Sequence, residues 1–179
     1  LKNARFVAAE EGELLDQAME LVLALGGRVK ADPNAEPETF AEAQKAGKKS
    51  LDEMGVAGQE VARLQALVRR AKPAGQADAM QQLKNAQMKL SMLQVGALDS
   101  YRLAMQLADR DTPPSELNLV RYFVCYLYYL NEQYHEAAVI GDFVSKRYSQ
   151  SAGAKQCAKI ALACYLKMLE VADDAGNAF

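Results

Sequence analysis

"NLVRYFVCYLYYLNEQYHEAA", Asn118 to Ala138, holds five of the chain's eight tyrosines, one of its three cysteines and its only histidine. From Leu119 to Leu130 only Arg121 is charged. An apolar run of this length without glycine or proline is a helix, and one apolar all round is a packing helix rather than a surface one. Tyr122, Tyr126 and Tyr129 are spaced by four and three residues, so they share one face of it. That face either packs against a neighbouring helix or presents three large amphipathic rings to a partner.

Working outward, the whole chain of 179 residues carries the same character. Alanine, leucine, glutamine, lysine, glutamate and methionine fill it, and these are the strong helix formers. No segment alternates Val, Ile or Thr with polar residues as a half-buried strand does. The expected fold class is all-α, built from antiparallel helix hairpins. Breaks fall at Gly26-Gly27 with "DPNAEP" (Asp32 to Pro37), at "KPAG" (Lys72 to Gly75), at "DTPPSE" (Asp111 to Glu116) and at "YSQSAG" (Tyr148 to Gly153).

Residues 1–31 read as an N-terminal helix pair, its second member striped by Leu14, Leu15, Ala18, Leu21, Val22 and Leu25. Residues 37–110 read as a long antiparallel hairpin with its tip near 73–75. One seam runs Phe40, Ala43, Gly47, Leu51, Met54, Gly58, Val61, Leu64, Val68. The other runs Leu83, Ala86, Leu90, Leu93, Ala97, Tyr101, Ala104, Ala108. Steps of three and four are the pattern of coiled-coil contact. Gly55 and Gly58 leave two readings of residues 37–72 open, one helix or two. Residues 115–179 hold three helices, about 115–131, 133–148 and 151–171, whose short turns make them antiparallel neighbours. The three parts are expected to form one continuous unit.

Alanines at 97 and 137 open equivalent helices 40 residues apart, which is the period of a helical-repeat solenoid. Over residues 115–179 the chain resembles the tetratricopeptide repeat. Cys125 stands at the small position of a first helix and Tyr128 at its aromatic. "EQYHEAA" is similar to the turn, with Tyr134 as its aromatic and Ala137 as the small crossing residue. Residues 6–25 look like a further, degenerate copy. The sequence departs from the pattern at Arg121, where a large packing residue is usual, at Gly141 in place of an aromatic, and at Ser149, where proline is frequent. The resemblance implies a stacked solenoid whose groove binds a peptide or protein, with Tyr122, Tyr126 and Tyr129 on its lining. It implies a non-enzymatic interaction module or scaffold. The other readings are a structural arm or spacer for self-association, the chain then forming homo-oligomers, and a small-molecule or enzymatic pocket near Cys125 and His135.

Chemistry-bearing patterns are sparse. His135 is the one histidine, and no His, Cys or carboxylate set has ligand spacing, so neither metal nor cofactor is expected. No phosphate-binding glycine loop or nucleophile elbow occurs. Neighbouring acids such as Asp52-Glu53 diverge by about 100° on a helix and make no acid–base pair. Charge is balanced, with 13 basic and 13 acidic residues in the first 90 and 8 and 10 in the rest, which argues against nucleic acid as a partner. Cys157 and Cys164 lie two helical turns apart and are not expected to pair. The longest apolar runs are too short to span a bilayer, and Leu21 to Leu25 is interrupted by Gly26-Gly27. Both a cytoplasmic and a periplasmic or other extracytoplasmic location fit. Leu1 in first place fits a chain whose leading segment has been removed, and Phe179 falls inside what reads as a further helix, as expected of a longer natural chain.

Overall fold

In a computed structural model the chain divides into two units, Leu1–Glu36 and Pro37–Phe179. The structure describes residues 37–176, so the expected N-terminal helix pair lies outside the described residues. Within them there are five α-helices and no strand: α1 (Phe40–Arg70), α2 (Pro73–Leu107), α3 (Pro114–Leu130), α4 (Tyr134–Arg147) and α5 (Ala154–Gly176). None of these helices is long and apolar enough to cross a membrane.

Helix α1 starts where its cap dictates. The Thr39 hydroxyl accepts from the Glu42 N–H at 3.3 Å, and the Glu42 carboxylate accepts from the Thr39 and Glu38 N–H groups at 3.3 and 3.1 Å. This reciprocal box satisfies donors that the first turn leaves free. The helix then runs unbroken for 31 residues, through Gly55 and Gly58, which settles the one-or-two question in favour of one. It ends at Arg70 because Lys72 precedes a proline and is held extended. Pro73 is the first residue of α2, where its missing N–H costs nothing. The tip is therefore Ala71-Lys72, two residues earlier than the spacing suggests.

Helices α1 and α2 run antiparallel for about 50 Å. The α1 seam buries Phe40, Ala43, Gly47, Met54, Ala57, Val61 and Leu64. At its base the hairpin meets α3, and there the main core forms from Phe40, Ala43, Ala97, Leu98, Tyr101, Ala104, Val120, Val124 and Leu127. Toward the tip the two helices pack mainly on each other, and Leu83, Ala86 and Leu90 are only half-buried. Gly47 lets the hairpin close over Tyr101: a Cβ there would stand 2.8 Å from the ring.

Helices α3, α4 and α5 pack successively, α3 touching α2, α4 and α5. Two small cores join them. Cys125, Val144, Ala154 and Cys157 make one, and Ala137, Ala138 and Cys164 the other.

Candidate functional site

Helix α3 is placed by the loop before it. Asp109 Oδ1 accepts from the Asp111 and Thr112 N–H groups at 3.0 and 2.9 Å and from the Thr112 hydroxyl at 2.8 Å. That turn delivers Pro113-Pro114, and Pro114 opens the helix. The helix stops at Asn131, where Glu132 takes a left-handed φ of 60°. The Gln133 N–H reaches back to the Tyr128 carbonyl at 2.9 Å, so the turn closes orphan acceptors at the helix end.

Between these ends the face toward α2 is sealed by Val120, Val124 and Leu127. Cys125 lies in the crossing with α4 and α5. Its thiol donates to the Ala137 carbonyl at 3.3 Å. Gly141 passes so close that a Cβ would meet the Cys157 carbonyl oxygen at 2.7 Å and the Cys125 sulfur at 3.3 Å. The neighbouring Cys157 sulfur, followed by burial, pushes the Cys125 thiol well above the ordinary thiol range, with Cys157 shifted the other way. Burial also pushes Cys164 up. All three cysteines are free and buried, so no reactive thiolate faces solvent among the described residues. His135 is exposed in the first turn of α4, on the far side of the Asn131–Gln133 link from the buried thiol. No group of His, Cys, Asp or Glu among the described residues could hold a metal ion.

The structure does not treat Tyr122, Tyr126 and Tyr129 alike, although all three are half-buried. Tyr122 leans on the start of α5, where Gly153 has φ +86° and a Cβ would stand 2.7 Å from the tyrosine ring. Only glycine suits that position, both for its backbone and for its closeness to the ring. Burial raises the Tyr122 hydroxyl above its ordinary range, with Tyr126 adding a smaller effect. Tyr126 packs along the main core, and Tyr129 packs with Tyr134, ring centres 5.9 Å apart. The three are thus neither sealed nor free.

Phe123 extends this face, and the buried Tyr101 backs it. The rings of Tyr101 and Phe123 stack at 5.1 Å, Phe123 and Tyr122 meet at 5.1 Å, and Tyr122 and Tyr126 stack at 6.5 Å. The result is a continuous aromatic band from α2 across α3. Heptad reading of α2 finds Tyr101 as a seam residue, but nothing in sequence spacing joins it to Phe123. Arg121, out of place as a packing residue by pattern, does pack. Its guanidinium lies over Phe143 and Tyr148 at 5.2 and 5.5 Å, and it donates to the Asn118 side-chain oxygen at 2.8 Å. Its cation is thereby used to tie α3 to the end of α4.

An open cleft of about 260 Å³ lies on the other flank of α3, lined by Arg102, Met105, Gln106, Val124, Tyr128 and Ile140. Val124 and Tyr128 stand roughly half a turn from Tyr126, so cleft and aromatic band are separate surfaces. No protein-family model, curated protein or solved structure matches the chain.

Proposed function

We propose that residues 115–179 form a tetratricopeptide-like unit that binds an extended segment of another protein, in a non-enzymatic scaffold or interaction role. The observation that carries this is the aromatic band Tyr101–Phe123–Tyr122–Tyr126, held by neighbouring helices yet partly open on α3. Rigid aromatic rings supply contact area at low conformational cost and are favoured at binding hot spots. Small residues Cys125, Ala137 and Gly141 at the α3–α4–α5 crossings fit a stacked repeat, and the balanced charge favours apolar recognition over electrostatic capture.

The test uses the full chain as bait in a pull-down from its source cells, with Tyr126→Ala beside the wild type. Tyr126 is expected to contribute about 1–2 kcal/mol to binding, so its loss weakens affinity about five- to thirtyfold and lowers partner recovery accordingly. The reading fails if Tyr126→Ala retains every captured protein at wild-type yield while its thermal unfolding is unchanged.

A structural arm or spacer is the second reading. It is favoured by the α1–α2 hairpin, which toward its tip packs mainly on itself and which exposes Met88, Met92 and Val95 around the middle of α2. If the arm assembles, replacing Met88 and Met92 together by Lys lowers self-association in light scattering; an unchanged profile removes this reading.

A further inference from the structure

Helix α5 carries a second apolar face, independent of the aromatic band. Leu162, Tyr165, Leu166 and Leu169 are 61, 42, 55 and 59 % exposed. Their spacing of three, one and three places them in one stripe along the helix. The opposite side of α5 is occupied: Cys157, Ala161 and Cys164 are buried against α3 and α4. Among the described helices α5 packs on α4 and α3; the Tyr165 hydroxyl donates to Asp142 Oδ2 of α4 at 2.8 Å, and Leu162, Leu166 and Leu169 are left open. Three leucines and the edge of the Tyr165 ring on one helix amount to a patch of a few hundred Å², the size of the largest patch on a typical monomer, which is often functional.

The charges beside the stripe say what fits it. On α5, Lys155 and Lys159 precede the stripe by about two turns and one turn, and Glu170 directly follows it, all exposed. Lys159 and Glu170 are eleven residues apart, about three whole turns, so they project from the same flank. Helices that pair antiparallel bring like flanks together, as the flanking positions of antiparallel coiled coils do. Two α5 helices crossing antiparallel at the level of Cys164 and Tyr165 set Lys159 of each copy against Glu170 of the other. The same crossing lays Leu162 of one copy against Leu166 of the other. A parallel pairing would bring unlike flanks together and leave both charges without this partner. Glu170 now bridges Lys167 at 2.7 Å, an exposed pair of i, i+3 spacing that costs little to exchange.

We propose that the α5 stripe is a two-fold self-association surface on which a second copy of this chain docks antiparallel. The contact is isologous, the same patch on both copies. It covers roughly 400 Å² per copy, about half the standard size, so the dimer is weak, with dissociation in the micromolar range.

Sedimentation equilibrium of the full 179-residue chain, from about 5 to 500 µM, tests this. A monomer–dimer equilibrium is expected for the wild type. Leu166→Glu is expected to abolish it, and its unchanged thermal unfolding would show that the fold is intact. Lys159→Glu should weaken dimerisation about fivefold or more, and adding Glu170→Lys should restore it, because the reversed pair attracts again. A strict monomer throughout the range overturns the proposal and leaves the stripe to another occupant. So does a dimer indifferent to Leu166→Glu, or a charge-reversed double variant no better than the single one. Tyr126→Ala leaves this equilibrium unchanged, so failure here and failure of the aromatic-band reading are separate results.

Discussion

Single residues decide how closely these helices approach. Gly47 and Gly141 are steric vacancies used by named neighbours, the Tyr101 ring and the Cys157 carbonyl. Adding one methyl at either forces a shift, and a carbonyl within a helix yields less readily than a ring. Gly47→Ala and Gly141→Ala are each expected to cost about 1–3 kcal/mol, with Gly141→Ala the worse, measured as the loss in urea-unfolding free energy. Tyr101 makes a different prediction. Burial, with Asp52 nearby as a lesser cause, raises its hydroxyl well above the ordinary value of 10.0. In the unfolded chain the phenol ionises near pH 10, while in the fold it stays protonated. The stability it contributes is therefore complete below pH 10 and is lost as pH rises beyond it. Unfolding free energy should fall between pH 10 and 11.5, and Tyr101→Phe should flatten that fall. Cys164, raised by burial, acts with the same sign from about pH 9 upward.

Glycines of one element need not act alike. Gly55 and Gly58 lie in the same helix as Gly47, but a Cβ at either meets nothing within 4 Å. There the residue only weakens the helix. Gly55→Ala and Gly58→Ala are each expected to stabilise by about 0.5–1 kcal/mol in the same urea assay that shows Gly47→Ala destabilising. The seam of α1 was legible from spacing because one face of a long helix must be apolar to bury. Met54, Val61 and Leu64 lie where that spacing puts them. The tip was less legible. A proline followed by Ala-Gly reads as a turn, yet Pro73 is also the favoured first residue of a helix, and the second role wins. Helix α3 was legible as a helix and as a packing element, but not face by face. With apolar side chains on every side, its pattern cannot rank which side receives α2, which receives α5 and which stays partly open.

Across the described unit, the cysteines give a test of how it opens. Cys125, Cys157 and Cys164 come from α3 and α5 and are fully buried where α3, α4 and α5 meet. No local fraying exposes all three. Labelling by an excess of thiol reagent in native buffer should follow the rate and denaturant dependence of global unfolding, with all three sites modified together. A fast single-site reaction at Cys125 would show a local opening and revive a reactive thiol there.

By itself the sequence determined that the described residues are helical, where most of their helices begin and end, much of the α1 seam though not the burial of Ala57 in place of Gly58, and that small residues stand at the crossings. All of these follow from short-range rules of spacing, capping and backbone freedom. Only the tertiary structure decided that Tyr101 stacks on Phe123, that Arg121 serves as a strut between helices, that Tyr122 rests on Gly153, and that the outer stripe of α5 is left uncovered by α3 and α4. Those are matters of which faces meet. A 3.6-residue period specifies what each helix could bury, and only the packing of its neighbours settles what is buried and what is left to touch another molecule.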